Sequence, residues 1–405
     1  MGRHFFLVSV LGFVSGLPFS LLGSTLAAWF SSKGVSIVAI GFLSLLQQPY
    51  VFKFLWAPLL DITLIKRMDR RRTWIFICQT LLFIGIAWLA FLEPSENVKI
   101  IGALVLGLVF VSATQDIAID AYRAELLAPK ERGLGATVAI FSYRIATLVS
   151  GALALIIADY YGWRMTFLCI SVLVIPCGLL VCFFKADINA KLQKASKPPV
   201  FNLWKSIKTF LVTKEGINII AFVLLFKLGE AFTSTSSILV IPFLLQGLGF
   251  SLSAIGVIGK GVGILATLVG SLMAGVLLLK ISLYRSLFIF AFLQIAMNTL
   301  FVLLAVVGKN YTLLTVCIFC ENLVAGMGMT ALIAFMMGVC NKEYTATQLA
   351  LLTAVSALPR TFAGPIGATI QSYIGWTNLF VLAVVLAVPV LFVLKRLKTV
   401  IETID

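Results

Sequence analysis

The chain has 405 residues, of which 61% are apolar and 12% charged. A soluble domain carries about 25% charged residues. Half that share cannot clothe a water-facing surface, which excludes a soluble enzyme, a disordered chain and a disulfide scaffold. One bilayer crossing takes about 20 apolar residues, so the composition suffices for about twelve crossings. The net charge of +15 would suggest nucleic acid on a soluble domain. On a membrane chain it is read instead as Lys- and Arg-rich cytoplasmic loops, with no nucleic-acid partner.

Apolar runs between short polar breaks predict an all-α membrane protein of twelve helices. They cover 4–30, 37–60, 74–92, 99–121, 134–158, 164–184, 217–245, 254–279, 286–308, 312–339, 346–371 and 377–396. The first run is too long for a signal-peptide core of about 7–15 residues and is read as a retained helix. The one long polar break, 185–216, holds Pro198–Pro199 and seven Lys. It is the expected cytoplasmic linker between a six-helix half at 1–184 and a second at 217–405, which ends in a short tail. Two such halves suit a transporter built from repeats. With both termini cytoplasmic, 22 Lys and Arg fall inside and four outside, a strong positive-inside bias.

The other five cations, Lys53, Arg144, Lys227, Lys260 and Arg360, fall within predicted spans, as do Asp116, Glu230 and Glu321. Asp120 sits nearer the cytoplasmic end of its helix. A charge at a span centre costs about 2.5–3.5 kcal/mol, so these groups are expected to pair or to line a passage. The cation surplus suits an anionic cargo. Helical spacing puts Gln47, Tyr50, Lys53 and Trp56 on one face, beside Gln48. Likewise Ser112, Asp116 and Asp120 share a face beside Gln115. So do Lys227, Glu230 and Ser234, and Thr353, Ser356 and Arg360. The expected substrate contacts are Gln47, Gln48, Tyr50, Lys53, Trp56, Gln115, Arg144, Lys227, Lys260, Asn322 and Arg360. Asp116, Asp120, Glu230 and Glu321 are the expected proton carriers, with Asp116 approaching Arg144. The clusters near 48, 231 and 358 fall at similar depth and predict one cavity lined from both halves.

Gly12 and Gly16, four apart, allow close helix contact. Gly259, Gly261 and Gly263 surround Lys260 inside a span, follow no strand and lack nucleotide-loop spacing. No Walker motif is present, so ATP is not the expected energy source. Cys317 and Cys320 lie on an apolar helix in a chain with one His. They are read as packing residues, and no metal or cofactor is expected. After the second helix, Asp61 followed by Arg70, Arg71 and Arg72 can clamp two helices by ion pairs.

That loop resembles the major facilitator signature, with Ala57 at its Gly position. More specific strings resemble the AmpG-type muropeptide permeases of that superfamily. They include GFVSGLPFSL at 12–21, GFLSLLQQPYVFKFLWAPLLD at 41–61, ATQDIAIDAYRAELL at 113–127, YRIATLVSG at 143–151, FKLGEAF at 226–232 and CNKEYTATQLALLTA at 340–354. The similarity runs through both halves in order. It implies a multi-pass transporter of the bacterial inner membrane. Such a symporter imports N-acetylglucosaminyl-anhydro-N-acetylmuramyl peptides with protons, for peptidoglycan recycling. The alternative is another organic anion such as an acyl-coenzyme A. Tyr50, Trp56, Trp29 and Tyr143 would stack on sugars while the buried cations hold carboxylates. An enzyme would need a catalytic constellation that a single His4 and short outer loops do not supply. The expected unit is a monomer in the lipid bilayer.

Overall fold

The computed structural model describes residues 2–56, 60, 70–127, 132–183, 214–234, 237–340 and 345–403. All regular structure among them is helical. Eight helices are long and apolar enough to cross a bilayer. Two of them turn back at a glycine, which makes ten, and the helices Ile37–Phe52 and Lys214–Ala231 bring the described set to the expected twelve. We label α1 His4–Ser32, α2 Ile37–Phe52, α3 Arg71–Leu89 and α4 Pro94–Arg123. The run Val138–Val181 turns at Gly162, whose φ of 81° and ψ of 166° suit only glycine, giving α5 and α6. The helix Lys214–Ala231 is α7, followed by Leu252–Leu278 (α8), Leu283–Val307 (α9) and Tyr311–Val339 (α10). The run Leu351–Arg396 turns at Gly375 in the same way, giving α11 and α12.

Two expected spans are interrupted, each for a local reason. In α2 an α-helical stretch Ile37–Phe42 gives way to a 3-10 stretch, Leu43–Gln47. A new helix, Gln48–Phe52, starts with Pro49 in its first turn. Proline has no N–H to bond the preceding turn, so it starts helices more readily than it continues them. After Ala231, α7 gives way to a turn at 232–234, and helix resumes at Val240–Pro242. Consecutive Ser and Thr offer the backbone side-chain bonds that compete with the helix. Four π-helical stretches, Leu21–Thr25, Val149–Leu153, Phe243–Gly247 and Ile255–Val262, widen α1, α5, the continuation of α7 and α8.

The chain forms two compact units. Unit 1 takes Met1–Val35, Leu46–Pro199 and Ser251–Gly256. Within it α1 lies on α5, where a Cβ on Gly16 would meet Tyr143 O at 2.6 Å and one on Gly12 would collide with Ala139 O. The two glycines are therefore the contact surface. Leu7, Leu11, Ile75, Ile119 and Tyr122 fill the core beside them. Unit 2 takes Ser36–Leu45, Val200–Phe250 and Val257–Asp405. There α8 meets α10 backbone to backbone through Gly270 and Gly326. Ser44 Oγ donates to Thr361 O at 2.7 Å, and Phe222, Phe226 and Phe335 form the core. Large apolar side chains also face outward in both units, among them Phe141 at 64% and Leu272 at 73% exposure. Such a surface is stable only in lipid.

Candidate functional site

In unit 1 the charged residues converge where α2 is broken. Lys53 Nζ lies 3.9 Å from Asp116 Oδ2 and 3.7 Å from Asp120 Oδ2. These separations are too long for hydrogen bonds, so the ammonium is shared between two acids rather than bound to either. Arg123, one turn along α4, pairs with Asp120. Ser15 Oγ of α1 donates to Asp116 Oδ1 at 2.6 Å. Tyr50 OH donates to Ser112 Oγ at 2.7 Å, and its ring meets Phe19 edge-on. Asp116 is the most sheltered ion, with 16% of its side chain exposed against 33% for Lys53 and 54% for Asp120.

Asp116 was expected beside Arg144. Among the described residues no ion pair joins them; the half-buried Arg144 lies on α5. Lys53 reaches the acid from α2 and Ser15 from α1. Other expected substrate contacts hold helices together. Gln115 is fully buried, donates to Val14 O at 3.2 Å and accepts from Gln79 Nε2 at 2.9 Å, tying α1, α3 and α4. Trp56 stacks on Phe110 at 4.6 Å and donates to Thr114 Oγ1 at 3.1 Å. Gln47 is half-buried and set against Gly23 on the π stretch of α1, and Gln48 is half-buried beside it. Of the expected clamp, Asp61 and the Arg70 side chain lie outside the described residues. Arg71 and Arg72 are buried. Arg72 Nε donates to Tyr122 OH at 3.0 Å, joining α3 to α4 through a phenol.

In unit 2 Lys227 Nζ donates to Glu230 Oε1 at 2.6 Å, an ion pair within α7. Glu321 is fully buried on α10 and accepts from Asn322 Nδ2 at 2.9 Å. Asn322 also donates to Ile318 O and accepts from Thr267 Oγ1 of α8. It therefore belongs to the α8–α10 seam rather than to an open surface. Lys260 stands on the π stretch of α8, close enough to the exposed Arg360 for their like charges to act on each other. Ser356 bonds back to Thr353 O on its own helix.

One buried network was not foreseen. Asn298 of α9 donates to Gly229 O at 2.9 Å and accepts from Thr233 Oγ1 at 2.9 Å and Gln294 Nε2 at 3.2 Å. It secures α7 at its break. A solitary Asn in an apolar helix was the available signal. Also unforeseen was a repeat: Gly162-Trp163 with Phe167, and Gly375-Trp376 with Phe380. Each glycine turns a hairpin, and each Trp–Phe pair packs on a further aromatic, Trp29 in one unit and Phe243 in the other.

Among the described residues no group of three or more His, Cys, Asp or Glu is placed to hold a metal ion. The Lys227–Glu230 pair lies on α7, and Asp116 and Asp120, which share Lys53, lie on the spanning helix α4.

Comparison with known proteins gives the same class. Residues 8–364 match the Major Facilitator Superfamily. The Anhydromuropeptide permease of Escherichia coli K12 is 38% identical over 399 residues, covering 97% of this chain and 79% of that protein. A Haemophilus influenzae protein without a characterised role is 32% identical over 96% of this chain and 92% of its own. Among solved structures, the nucleoside transporter NupG superposes with a TM-score of 0.76 at 14% identity, over 98% of this chain and 99% of that one. A D-xylose-proton symporter superposes with a TM-score of 0.67 at 15% identity, over 95% and 96% of the two chains. These two likenesses establish the fold alone. The chain is a transporter, not an enzyme, and belongs to the anhydromuropeptide permease family of the major facilitator superfamily.

Proposed function

We propose that this chain imports N-acetylglucosaminyl-anhydro-N-acetylmuramyl peptides by proton symport across the bacterial inner membrane. Both termini then face the cytoplasm, and the chain works as a monomer. The observation that carries the substrate is 38% identity along 97% of the chain to a protein named for that cargo. The charge set around Lys53 suits both the cargo and the coupling. A muropeptide bears several carboxylates, and moving each against an inside-negative potential costs about 2.3 kcal/mol per 100 mV. Cations must travel with it. Asp116 has its charge balanced loosely, by Lys53 at 3.9 Å and by the Ser15 hydroxyl. A proton on Asp116 removes one of the two acids that share Lys53. The other, Asp120, is already held by Arg123. Lys53 is then available to a substrate carboxylate, and departure of the proton restores the pair.

Labelled anhydro-muropeptide supplied to right-side-out vesicles tests this reading. Accumulation above the outside concentration, collapsed by a protonophore, is the expected result. Accumulation that ignores the protonophore would sink proton coupling. Transport of an acyl-coenzyme A in place of muropeptide would replace the cargo.

A further inference from the structure

Unit 1 holds a second polar feature, separate from the Lys53 cluster. It lies where α1 ends, α4 begins and α5 turns into α6. Glu93, at the start of α4, precedes Asp116 by about 35 Å of helix, so the two features belong to opposite ends of the span. Here a cavity of about 400 Å³ opens, lined by Trp29, Lys33, Leu92, Glu93, Trp163 and Arg164 among others. That volume lies in the range of small-molecule sites, about 300–1,000 Å³.

The walls are held by aromatic packing. Trp29 meets Phe167 at 4.7 Å, and Trp163 Nε1 donates to Ser32 Oγ at 2.8 Å. At the rim Lys33 Nζ and Glu93 Oε1 pair at 2.9 Å, both half-exposed. The Arg164 guanidinium lies 5.0 Å from the centre of the Phe91 ring. Among the described residues no carboxylate pairs with it. A stacked guanidinium keeps its in-plane N–H donors for a carboxylate from solution. The second hairpin repeats the Gly-Trp-Phe framework but has Thr377 where the first has Arg164, and Trp376 closes on Gly247. The second hairpin therefore lacks the cation that Arg164 supplies at the first.

We propose that this cavity is a capture site where an anionic, sugar-bearing solute docks before it is transported, its carboxylate on Arg164 and a sugar face against the apolar wall. The proposal rests on the import reading, which puts this end of the bundle outside the cell.

Uptake of labelled anhydro-muropeptide against concentration tests it, with the wild type, Arg164→Gln and Leu92→Trp compared. The last variant fills the cavity and keeps every charge. Both variants should raise KM about tenfold, the scale of one lost charge-assisted bond. Vmax and membrane level should stay unchanged, and Arg164→Lys should recover part of the loss. An unchanged KM in both variants overturns the capture site. So does a fall in Vmax alone, which marks a structural or lipid-binding role. A wild type that takes up no anhydro-muropeptide defeats the import reading instead. In that event, protection of a Leu92→Cys variant from a water-soluble maleimide by the same probe decides the cavity, and no protection overturns it.

Discussion

Lys53 stands between two carboxylates at nearly equal distance and is hydrogen-bonded to neither. Asp116→Asn leaves it facing Asp120 alone and removes the more sheltered of the two acids. The accumulation ratio of that variant should fall to about unity while counterflow exchange persists; concentrative uptake at the wild-type level would refute the coupling role. Lys227 and Glu230 form a tighter pair, with side chains 11% and 20% exposed. Breaking one partner strands the other, at about 3–5 kcal/mol for a fully buried pair and less here. Lys227→Ala should therefore lower thermal stability in detergent more than the double variant Lys227→Ala/Glu230→Ala. Equal melting temperatures would count against the pairing. The charged residues were legible in the sequence because ions stand out in apolar helices. Their partners were not. The backbone is 3-10 over Leu43–Gln47 and again over Lys53–Leu55, so α-helical spacing does not fix where Lys53 points. The amides of Gln115 and Asn322 read as substrate groups because spacing shows that a side chain is polar but not what already bonds it.

Helix contacts are set by glycine more than by large side chains. A Cβ on Gly326 would collide with Thr267 O, so α8 and α10 touch through their backbones. Gly102 of α4 has nothing within 4 Å of the same position. Gly326→Val should cost about 1–3 kcal/mol of overpacking and reduce folded yield, with Gly102→Val as the neutral control. Similar yields would mean that the seam relaxes. The pair Gly12 and Gly16 announced its role in the sequence, because small residues four apart recur on one helix face. The seam at Gly270 and Gly326 did not, since its halves lie on different helices. The breaks in α2 and α7 were written in Pro49 and in the Thr233 to Ser237 run, but high hydropathy on both sides masked them. The two Gly-Trp hairpins are visible as a repeat only when the halves are laid side by side.

At the scale of the whole chain, the bias of 22 cations to four fixes the expected orientation. A cysteine placed at position 195 in a cysteine-free background should resist a membrane-impermeant maleimide in intact cells and react after permeabilisation. Labelling from outside would invert the topology and move the capture cavity to the cytoplasm. The π-helical stretches have a consequence for descent as well as for shape. Such a stretch fits an extra residue into a single turn, so the helix on either side of it keeps its face. Deleting one residue between Leu21 and Thr25 should regularise α1 and leave Trp29 on Phe167, whereas the same deletion in a plain α-helical stretch would turn everything beyond it by about 100°. Alignments of relatives should therefore carry single-residue gaps within these stretches more readily than elsewhere in the spans.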